Sequence, residues 1–513
     1  VARGGLMILD DDGETSGRAA RHGATLDSLF RRVGVRRAHG LALIDPPDRY
    51  RVSDGGPRSL TFADADRAVS SVASQLRDRG LPTDALVAIQ LGNTVESAIA
   101  LLAVLRAGMI AVPLPLLWRK HEIVAALTQV GAKAIITASH VGDVRTAQIA
   151  VEAAAELFTV RHVCGFGRSL PDGVVPLDLR AAGSISQPPA RAGHPAAHVA
   201  VVTFDVTPNG PVAVARNHTE LIAGGLAVAL EAGHPQDGAI LSAVPMTSFA
   251  GLALTLVPWL LAGGALHLHH PFEPETFAAQ RKAVGAGLVV LPGATLPALG
   301  TAERSAGETI AALWRAPERL AAQAAWHGPA ALVDVTAIGE FGLVAAQRKP
   351  GAGPAGLPYG TVGAPHAVAK DGTPLIEVLR TADGTVGLRG AMVPTHAFPP
   401  GAAQGYAPFL APDRAGLVDT GLACRRKLDT NTLTVSAPPA GLVTVGGYRF
   451  YKSALEEAVA AIDLDATIVA LPDAILGERL AGSTRDAAAI IAAMQAAGAT
   501  PLIANAFRPR AAG

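Results

Sequence analysis

The chain has 513 residues, half of them apolar and 17% charged, with Lys+Arg and Asp+Glu equal at 43 each. That length predicts two to four packed units, and the apolar content excludes a largely disordered chain. The neutral balance excludes a general nucleic-acid binder or a membrane-surface protein, because both need a basic face.

Residues 1–24 are polar and rich in Gly, Arg and Asp. They contain no apolar run of the kind that signal peptides carry, so we expect a mobile N-terminal tail. The two cysteines, Cys164 and Cys424, are far apart and form no CxxC pattern. They predict neither a disulfide framework nor a zinc site, which favours a cytoplasmic location.

From residue 25 onward, helix and strand patterns alternate at short spacing. Residues 60–80 predict a helix that begins with a capping box of Thr61 and Asp64. Further helices are predicted at 94–107 and 122–130, and buried strands at 85–91, 109–114, 133–137, 199–204, 239–244 and 287–291. This alternation predicts an α/β fold with parallel strands joined by crossover helices.

Residues 238–272 contain no Asp, Glu, Lys or Arg. A membrane-spanning helix needs about 20 consecutive apolar residues, and Pro245, Gly251, Pro258 and Gly263 interrupt this segment. We therefore expect no membrane span here, but a buried strand, loop, helix and strand.

The sequence Ser-Ala-Pro-Pro-Ala-Gly at residues 436–441 predicts a hinge. It divides a large N-terminal domain, at 25–435, from a small α+β domain at 442–513. In the small domain we predict strands at 442–445 and 467–471 and helices at 453–461 and 484–497.

Several motifs resemble those of the adenylate-forming superfamily, which contains acyl-CoA synthetases, peptide adenylation domains and luciferases. LTFAD at 60–64 is similar to the family's L-T-Y-A-E, GNTVE at 92–96 to P-N-S-x-E, and LRAG at 105–108 followed by VPL at 112–114 to LKAGAVxVPL. The resemblance implies a large N-terminal domain of mostly parallel sheets with flanking helices, and a small mobile C-terminal domain. Active members join a carboxylate to ATP, release pyrophosphate, rotate the C-terminal domain and transfer the acyl group to a thiol, usually CoA.

The family's phosphate loop, T-S-G-T-T-G-x-P-K-G-V followed four residues later by His, matches FDVTPNGPVAV at 204–214. Glycines in such a loop let backbone N–H groups approach phosphates, and the lysine neutralises charge. The corresponding positions here include Thr207, Asn209, Gly210, Val212 and His218. Asn209 replaces a glycine, Val212 replaces the lysine, and Asp205 adds a carboxylate, so we expect this loop to repel a triphosphate. The alternative is a plain surface turn between a strand and a helix.

The segment at 244–251 resembles the family's acyl-site motif L-P-x-x-H-x-x-G, with Ser248 at the His position. Ser248, Phe249 and Gly251 are therefore candidates for an acyl pocket, and the alternative is that they line the core. Arg315-Ala316-Pro317 resembles G-[AG]-x-P only loosely and otherwise reads as the start of a helix.

The resemblance also marks the remnants of a nucleotide site. In the motif Y-G-x-T-E-x-G-L, the adenine-stacking Tyr is replaced by Thr336 and the Thr by Gly339, while Glu340 keeps the position that binds Mg²⁺ in relatives. The Asp that holds the ribose hydroxyls is replaced by Leu422. Glu340 is therefore the one metal-ligand candidate.

Near the C-terminal end, the turn of Gly446, Gly447 and Tyr448 resembles the family's G-G-Y, which lines the pantetheine tunnel in CoA ligases. The alternative is that this turn only builds the small domain. The family's last motif, P-x-T-x-x-G-K, has no counterpart, because Lys452 is the last lysine, and the segment after Ala481 is short compared with the family.

These features favour an acyl-CoA synthetase homologue with a degenerate ATP site, which binds a carboxylate, an acyl thioester or a protein partner without efficient adenylation. One alternative is an active, divergent AMP-forming acyl- or aryl-CoA ligase, which would use ATP, Mg²⁺ and CoA. Another is a non-catalytic subunit of a biosynthetic complex. In each case the chain could form a homodimer.

Overall fold

The computed structural model describes residues 23–508, except residues 184, 186, 191–192, 300–306, 364–371, 399–410 and 474. The predicted tail at 1–24 therefore lies almost entirely outside the described residues, as do residues 509–513 of the predicted small domain.

The first part of the chain follows the predicted alternation, and each predicted element lies close to its expected bounds. Its helices and strands are α1 (Leu26–Arg36), β1 (Leu41–Ile44), β2 (Ser59–Thr61), α2 (Phe62–Asp78), β3 (Leu86–Gln90), α3 (Val95–Arg106), β4 (Ile110–Pro113), α4 (Lys120–Val130), β5 (Ala134–Ala138), α5 (Thr146–Glu156), β6 (His162–Phe166), β7 (Val174–Pro176), β8 (Val199–Thr207), β9 (Gly210–Asn217) and α6 (His218–Glu231).

The second part adds two more strand and helix units and then a long run of strands. Its elements are β10 (Ile240–Ser242), α7 (Phe249–Gly251), α8 (Val257–Ala262), β11 (Leu266–Leu268), α9 (Pro274–Val284), β12 (Leu288–Pro292), β13 (Thr309–Trp314), β14 (Ala331–Ile338), β15 (Gly342–Gln347), β16 (Leu357–Pro358), β17 (Gly360–Val362), β18 (Ile376–Arg380), β19 (Thr385–Arg389), β20 (Val418–Lys427), β21 (Thr432–Ala437), β22 (Leu442–Val445), β23 (Tyr448–Tyr451), α10 (Lys452–Ala460), β24 (Thr467–Asp473), β25 (Gly477–Ser483), α11 (Ala487–Ala496) and α12 (Pro501–Ala504).

Local signals explain several of these bounds. Thr61 and Asp64 form the predicted capping box at the start of α2, because each side chain accepts a hydrogen bond from the backbone of the other residue. α4 ends where Gly131 takes the left-handed conformation, with φ at 66°, which glycine adopts without steric cost.

Two large, mostly parallel sheets form the body of the chain and confirm the predicted α/β class. One has seven strands in the order β7-β6-β5-β3-β4-β8-β9, and the other has eight in the order β15-β14-β13-β12-β10-β11-β1-β2. Their antiparallel pairs lie at the sheet edges: β8 with β9, β14 with β15, and β1 with β2. α3 is buried on every face and packs against α1, α2, β3 and β4, so the main core lies around this helix.

Two smaller sheets are antiparallel. The six-stranded sheet, in the order β16-β21-β20-β19-β18-β17, has no counterpart among the predicted elements. The four-stranded sheet, in the order β23-β22-β25-β24, carries α10 and α11 and lies within the predicted small domain. The proposed hinge at 436–441 joins β21 to β22, and the domain boundaries stay predictions.

The charge-free segment at 238–272 forms the strand, helix and strand that its sequence predicts. β10 is followed by a helical stretch from Phe249 to Ala262 and then by β11. Across the described residues, none of the helices combines the length and the apolar character that crossing a bilayer requires.

Two half-buried histidines, His234 and His270, predict acid sensitivity. Burial lowers the pKa of His234 and of His270 from 6.5 to about 4. The unfolded chain takes up these protons near pH 6.5 and the folded chain only near pH 4, so stability is lost as the pH falls through this window. We expect the free energy of unfolding to fall by up to about 1.4 kcal/mol per pH unit for each histidine, as measured by urea unfolding at a series of pH values.

A matched pair of variants checks the assignment. His270→Asn keeps an acceptor for the Asn93 N–H, which lies 3.3 Å from Nδ1 of His270, and is expected to flatten the pH slope. His327→Asn alters an exposed side chain and is expected to leave the slope as it is. Equal slopes in wild type and His270→Asn would contradict the prediction.

Candidate functional site

A cleft of about 850 Å³ opens between the body of the chain and the four-stranded C-terminal sheet. Its wall comes from the β8–β9 hairpin, residues 244–248, the end of β13, the β14–β15 turn and the β22–β23 turn. Since β13 and β14 are parallel neighbours that end side by side here, side chains that are distant in sequence converge on one place.

The segment predicted as a phosphate loop is a tight hairpin between two strands. Thr207 pairs with Gly210, so Pro208 and Asn209 alone form the turn. The turn uses its own polar groups: the Thr207 hydroxyl donates to the Gly210 carbonyl at 3.0 Å and accepts the Asn209 N–H at 3.2 Å. The expected turn between a strand and a helix is wrong in this respect, because residues 210–217 form β9 before α6 begins.

The lysine position of the loop faces the protein interior. Val212 is 1% exposed and belongs to the main hydrophobic core, on the strand opposite Asp205. Thr207 and Gly210 line the cleft, whereas Val212 and Asn209 are not among its lining residues. A side chain at position 212 therefore meets core residues and not a ligand.

Asp205 is a buried carboxylate at the cleft wall, only 3% exposed. Its Oδ2 accepts a hydrogen bond from the Glu340 N–H at 2.8 Å, and its Oδ1 accepts one from the Val206 N–H at 2.8 Å. Oδ1 also forms an ion pair with Nη1 of Arg449. A Cβ atom at Gly339 would lie 2.1 Å from Oδ2 of Asp205. The Asp205 carboxylate thus fills the space that a side chain at 339 would need. Asp205 and Gly339, which both depart from the family pattern, are therefore sterically complementary.

Glu340 belongs to this wall and Arg216 lies behind it, and both are buried. Glu340 turns Oε2 towards the Phe249 N–H, which donates to it at 2.7 Å, and burial raises the pKa of Glu340. Arg216 donates to the Glu340 backbone carbonyl, and its guanidinium carbon lies 3.7 Å from the centre of the Phe249 ring. Burial lowers the pKa of Arg216 to about 10.

Glu340 was the one predicted metal ligand. Among the described residues, no group of three or more His, Cys, Asp or Glu side chains is placed to hold a metal ion. Mg²⁺ prefers a set of oxygen ligands, yet both oxygens of Asp205 and Oε2 of Glu340 already accept hydrogen bonds. The side chains present therefore fit a magnesium ion poorly.

The predicted acyl-pocket residues separate in the structure. Ser248 lines the cleft, and its hydroxyl accepts the Gly251 N–H at 3.1 Å and an N–H of Arg315 at 2.6 Å. Phe249 and Gly251 are buried and are not among the lining residues. Gly251 is needed for packing, because a Cβ there would lie 2.1 Å from the Pro245 carbonyl oxygen.

The Gly-Gly turn closes the cleft from the C-terminal side. Gly446 and Gly447 have φ values of 57° and 88°, which favour glycine, and a Cβ at Gly447 would lie 2.4 Å from Cδ of Arg315. The Tyr448 hydroxyl accepts the Leu117 N–H at 3.3 Å, and burial raises the pKa of Tyr448. The turn therefore packs directly on the body of the chain.

The remaining predicted residues are not among those that line the cleft. Thr336 and Leu422 are buried in β14 and β20, and Leu422 belongs to the main core at 4% exposure. His218 begins α6, where its Nδ1 accepts the Leu26 N–H at 3.2 Å. Thus the cleft unites only part of the predicted set: Thr207, Gly210, Ser248, Glu340, Gly446, Gly447 and Tyr448. The functional roles assigned to these residues stay predictions.

Three arginines line the cleft, Arg315, Arg319 and Arg449, and none of them was predicted as a site residue. Arg315 follows β13, and Arg449 lies in β23. The sequence did contain an indication for Arg315, because a long cationic side chain stands in a motif where the family has Gly or Ala. Arg449 gave no such signal, because its position in the family motif is variable.

Comparisons with known proteins agree with this architecture. Residues 42–296 match the family model "AMP-binding enzyme". The chain is 29% identical to a salicyl-AMP ligase / salicyl-S-ArCP synthetase of Mycobacterium tuberculosis over 43% of this chain, and 26% identical to the medium-chain fatty-acid–CoA ligase of Escherichia coli over 24%. These alignments span 38% and 22% of the two relatives.

Solved structures cover nearly the whole chain. The amide bond synthetase McbA of Marinactinospora thermotolerans superposes with a TM-score of 0.67 at 20% identity, covering 93% of this chain and 94% of McbA. MbtA of Mycobacterium smegmatis gives a TM-score of 0.63 at 22% identity, covering 93% and 89%. At such identities the likeness shows the shared fold. Together with the family-model match, it means that the chain belongs to the adenylate-forming superfamily of AMP-binding enzymes.

Proposed function

We propose that this protein is an acyl- or aryl-ligase homologue that binds a carboxylic acid in the cleft without adenylating it efficiently. The observation that carries the proposal is the buried Asp205 carboxylate, which lies at the cleft wall where the family's phosphate loop would begin. Both of its oxygens are bound to backbone or to Arg449, so the carboxylate is a fixed part of the wall.

A triphosphate at this wall would meet a negative charge and few donors. The Asn209 N–H is bound to Thr207, and Pro208 has no N–H to offer. Position 212 faces the core, so no lysine-like cation reaches the cleft from β9. Each electrostatic group that stabilises a transition state contributes about 10²–10³ in rate. The loss of two such groups lowers adenylation by at least about 10²-fold even when the losses are not additive, and by about 10⁴-fold or more when they are.

The ligand class follows from the relatives and the cleft together. The relatives named above are ligases of salicylate and of medium-chain fatty acids, both carboxylic acids. In this chain, apolar side chains such as Trp118, Phe204 and Val244 line the cleft beside Arg315. A carboxylic acid with an apolar body is the ligand that such a lining supports.

Pyrophosphate release tests the proposal. The full chain is incubated with ATP, Mg²⁺, CoA and a library of aryl and alkyl carboxylic acids, with an active AMP-forming ligase assayed in parallel. We expect release at least about 10²-fold slower than that of the active enzyme. We also expect the acids, but not ATP, to raise the melting temperature of the chain.

Turnover comparable with that of the parallel enzyme would support the divergent-ligase alternative and end this proposal. If ATP with Mg²⁺ raises the melting temperature as much as an acid does, the cleft binds nucleotide, and that result would also contradict the proposal.

A further inference from the structure

We propose that Arg315 is the anion-binding residue of the cleft, and that the ligand enters as a free, ionised carboxylic acid and not as a thioester or an amide. This inference rests on the proposed function and narrows it.

The position of Arg315 is fixed from three sides. It is the first residue after β13, where the strand ends at the cleft. Its aliphatic chain packs on Gly447, and only a glycine leaves space for it there, because a Cβ at Gly447 would lie 2.4 Å from Cδ of Arg315. Its Nη2 donates to the Ser248 hydroxyl at 2.6 Å. The guanidinium is thereby held at the junction of the main body and the Gly-Gly turn, with the side chain 27% exposed.

Among the described residues that line the cleft, the arginines differ in how well their charges are matched. Arg449 forms a close ion pair with Asp205, and Arg319 lies 3.2 Å from a carboxylate oxygen of Glu478. The carboxylate nearest to Arg315, that of Glu340, is 4.0 Å away. Glu340 directs its other oxygen to the Phe249 N–H, and burial raises its pKa, which weakens it as a counter-ion.

Such a guanidinium selects a particular chemical group. It is planar, always charged, and presents paired N–H donors that match the two oxygens of a carboxylate. Only one of these donors is satisfied by a short contact, that to Ser248, so the guanidinium keeps donors for a ligand. A thioester or an amide has no negative charge and would leave the cation unmatched in a partly dehydrated cleft.

The apolar lining of the cleft indicates which kind of acid fits beside Arg315. The rings of Trp118 and Phe204 both line it, with centroids 5.7 Å apart and planes inclined at 49°. This aromatic wall and the Arg315 guanidinium belong to one cavity of about 850 Å³, within the range of about 300–1,000 Å³ that holds small organic ligands. An aryl acid or a medium-length alkyl acid has both parts.

Isothermal titration of the full chain compares benzoate and octanoate with benzamide and octanamide, which have the same bodies without the charge. Hydrogen bonds to a charged group contribute about 1.5–3 kcal/mol, equivalent to about 10- to 150-fold in affinity. We expect wild type to prefer one of the acids to its amide by at least about 10-fold. Arg315→Gln is expected to weaken acid binding about 10- to 150-fold while leaving amide binding unchanged, and Arg315→Lys to lie between.

Arg319→Gln is the matched control, because it removes an arginine of the same cleft that already has a carboxylate partner at 3.2 Å. It is expected to keep the acid preference, and melting curves confirm that each variant is folded. Equal acid affinity in wild type and Arg315→Gln would overturn the role of Arg315 while the proposed function stands. If wild type binds none of the acids, both are overturned. If wild type releases pyrophosphate fast and Arg315→Gln raises the KM for the acid, the proposed function is overturned while the role of Arg315 stands.

Discussion

Val212→Lys, which restores the family's phosphate-binding lysine, is expected to destabilise the protein by about 3–5 kcal/mol without restoring ATP binding. Val212 lies in the main core at 1% exposure, and its side chain projects from the same face of the hairpin as that of its cross-strand partner Asp205. The Asp205 oxygens already bind Arg449 and two backbone N–H groups, so a second buried cation would leave one of the two cations without a full partner. An unpaired buried charge costs several kcal/mol or is neutralised by a lowered pKa, which costs a similar amount. Urea-induced unfolding measures the loss, and calorimetry with ATP and Mg²⁺ measures nucleotide binding.

Val212→Ile is the control for volume at the same position. It adds one methylene without charge, and a swap of this kind is expected to cost no more than about 1–3 kcal/mol. A lysine variant as stable as wild type, with newly measurable ATP affinity, would mean that position 212 can turn towards the cleft. That result would contradict the geometry described here for β9.

Gly339→Thr, which restores another family residue, is expected to cost about 2–4 kcal/mol, by collision and by backbone strain together. Its Cβ would lie 2.1 Å from Oδ2 of Asp205 and 2.6 Å from Nη1 of Arg449, and Gly339 has a φ of 54°, unfavourable for a β-branched residue. Urea unfolding again provides the measurement.

The double variant Asp205→Ser with Gly339→Thr carries the family residue at both positions. Its loss of unfolding free energy is expected to be smaller than the summed losses of the two single variants by at least about 1 kcal/mol, because the serine vacates the space that the threonine needs. Gly339→Ala with Asp205→Ser separates the collision from the preference of threonine for other backbone angles. Additive effects in the double variant would show that Asp205 and Gly339 are not coupled.

Much of the fold could be predicted from short-range patterns. The alternation of buried strands and amphipathic helices gave β3, α3, β4 and β5 within a few residues, and β22 at its observed bounds. The six-stranded antiparallel sheet escaped prediction because its strands are buried on one face only. In β18, for example, Ile376 and Val378 are buried while Glu377 and Arg380 are partly or fully exposed.

The site was harder to predict, because its contacts join distant parts of the sequence. Asp205 and Arg449 are separated by 244 positions, and nothing local to either residue indicates the pairing. The motif comparison located the cleft segments, but it could not show that Val212 and Leu422 point into the core. Which face of a strand is buried depends on neighbours that only the folded chain supplies.

The fit between Asp205 and Gly339 also bears on how the sequence can change. A return to the family pattern needs both positions to alter, and the step at Gly339 taken first produces a crowded, less stable protein. The arginine that binds Asp205 from β23 adds a third residue that has to adjust. If Asp205 changes first, Arg449 loses its ion-pair partner at the cleft wall. Selection that acts on single substitutions therefore meets a cost in either order, and this part of the wall behaves as an evolutionary ratchet.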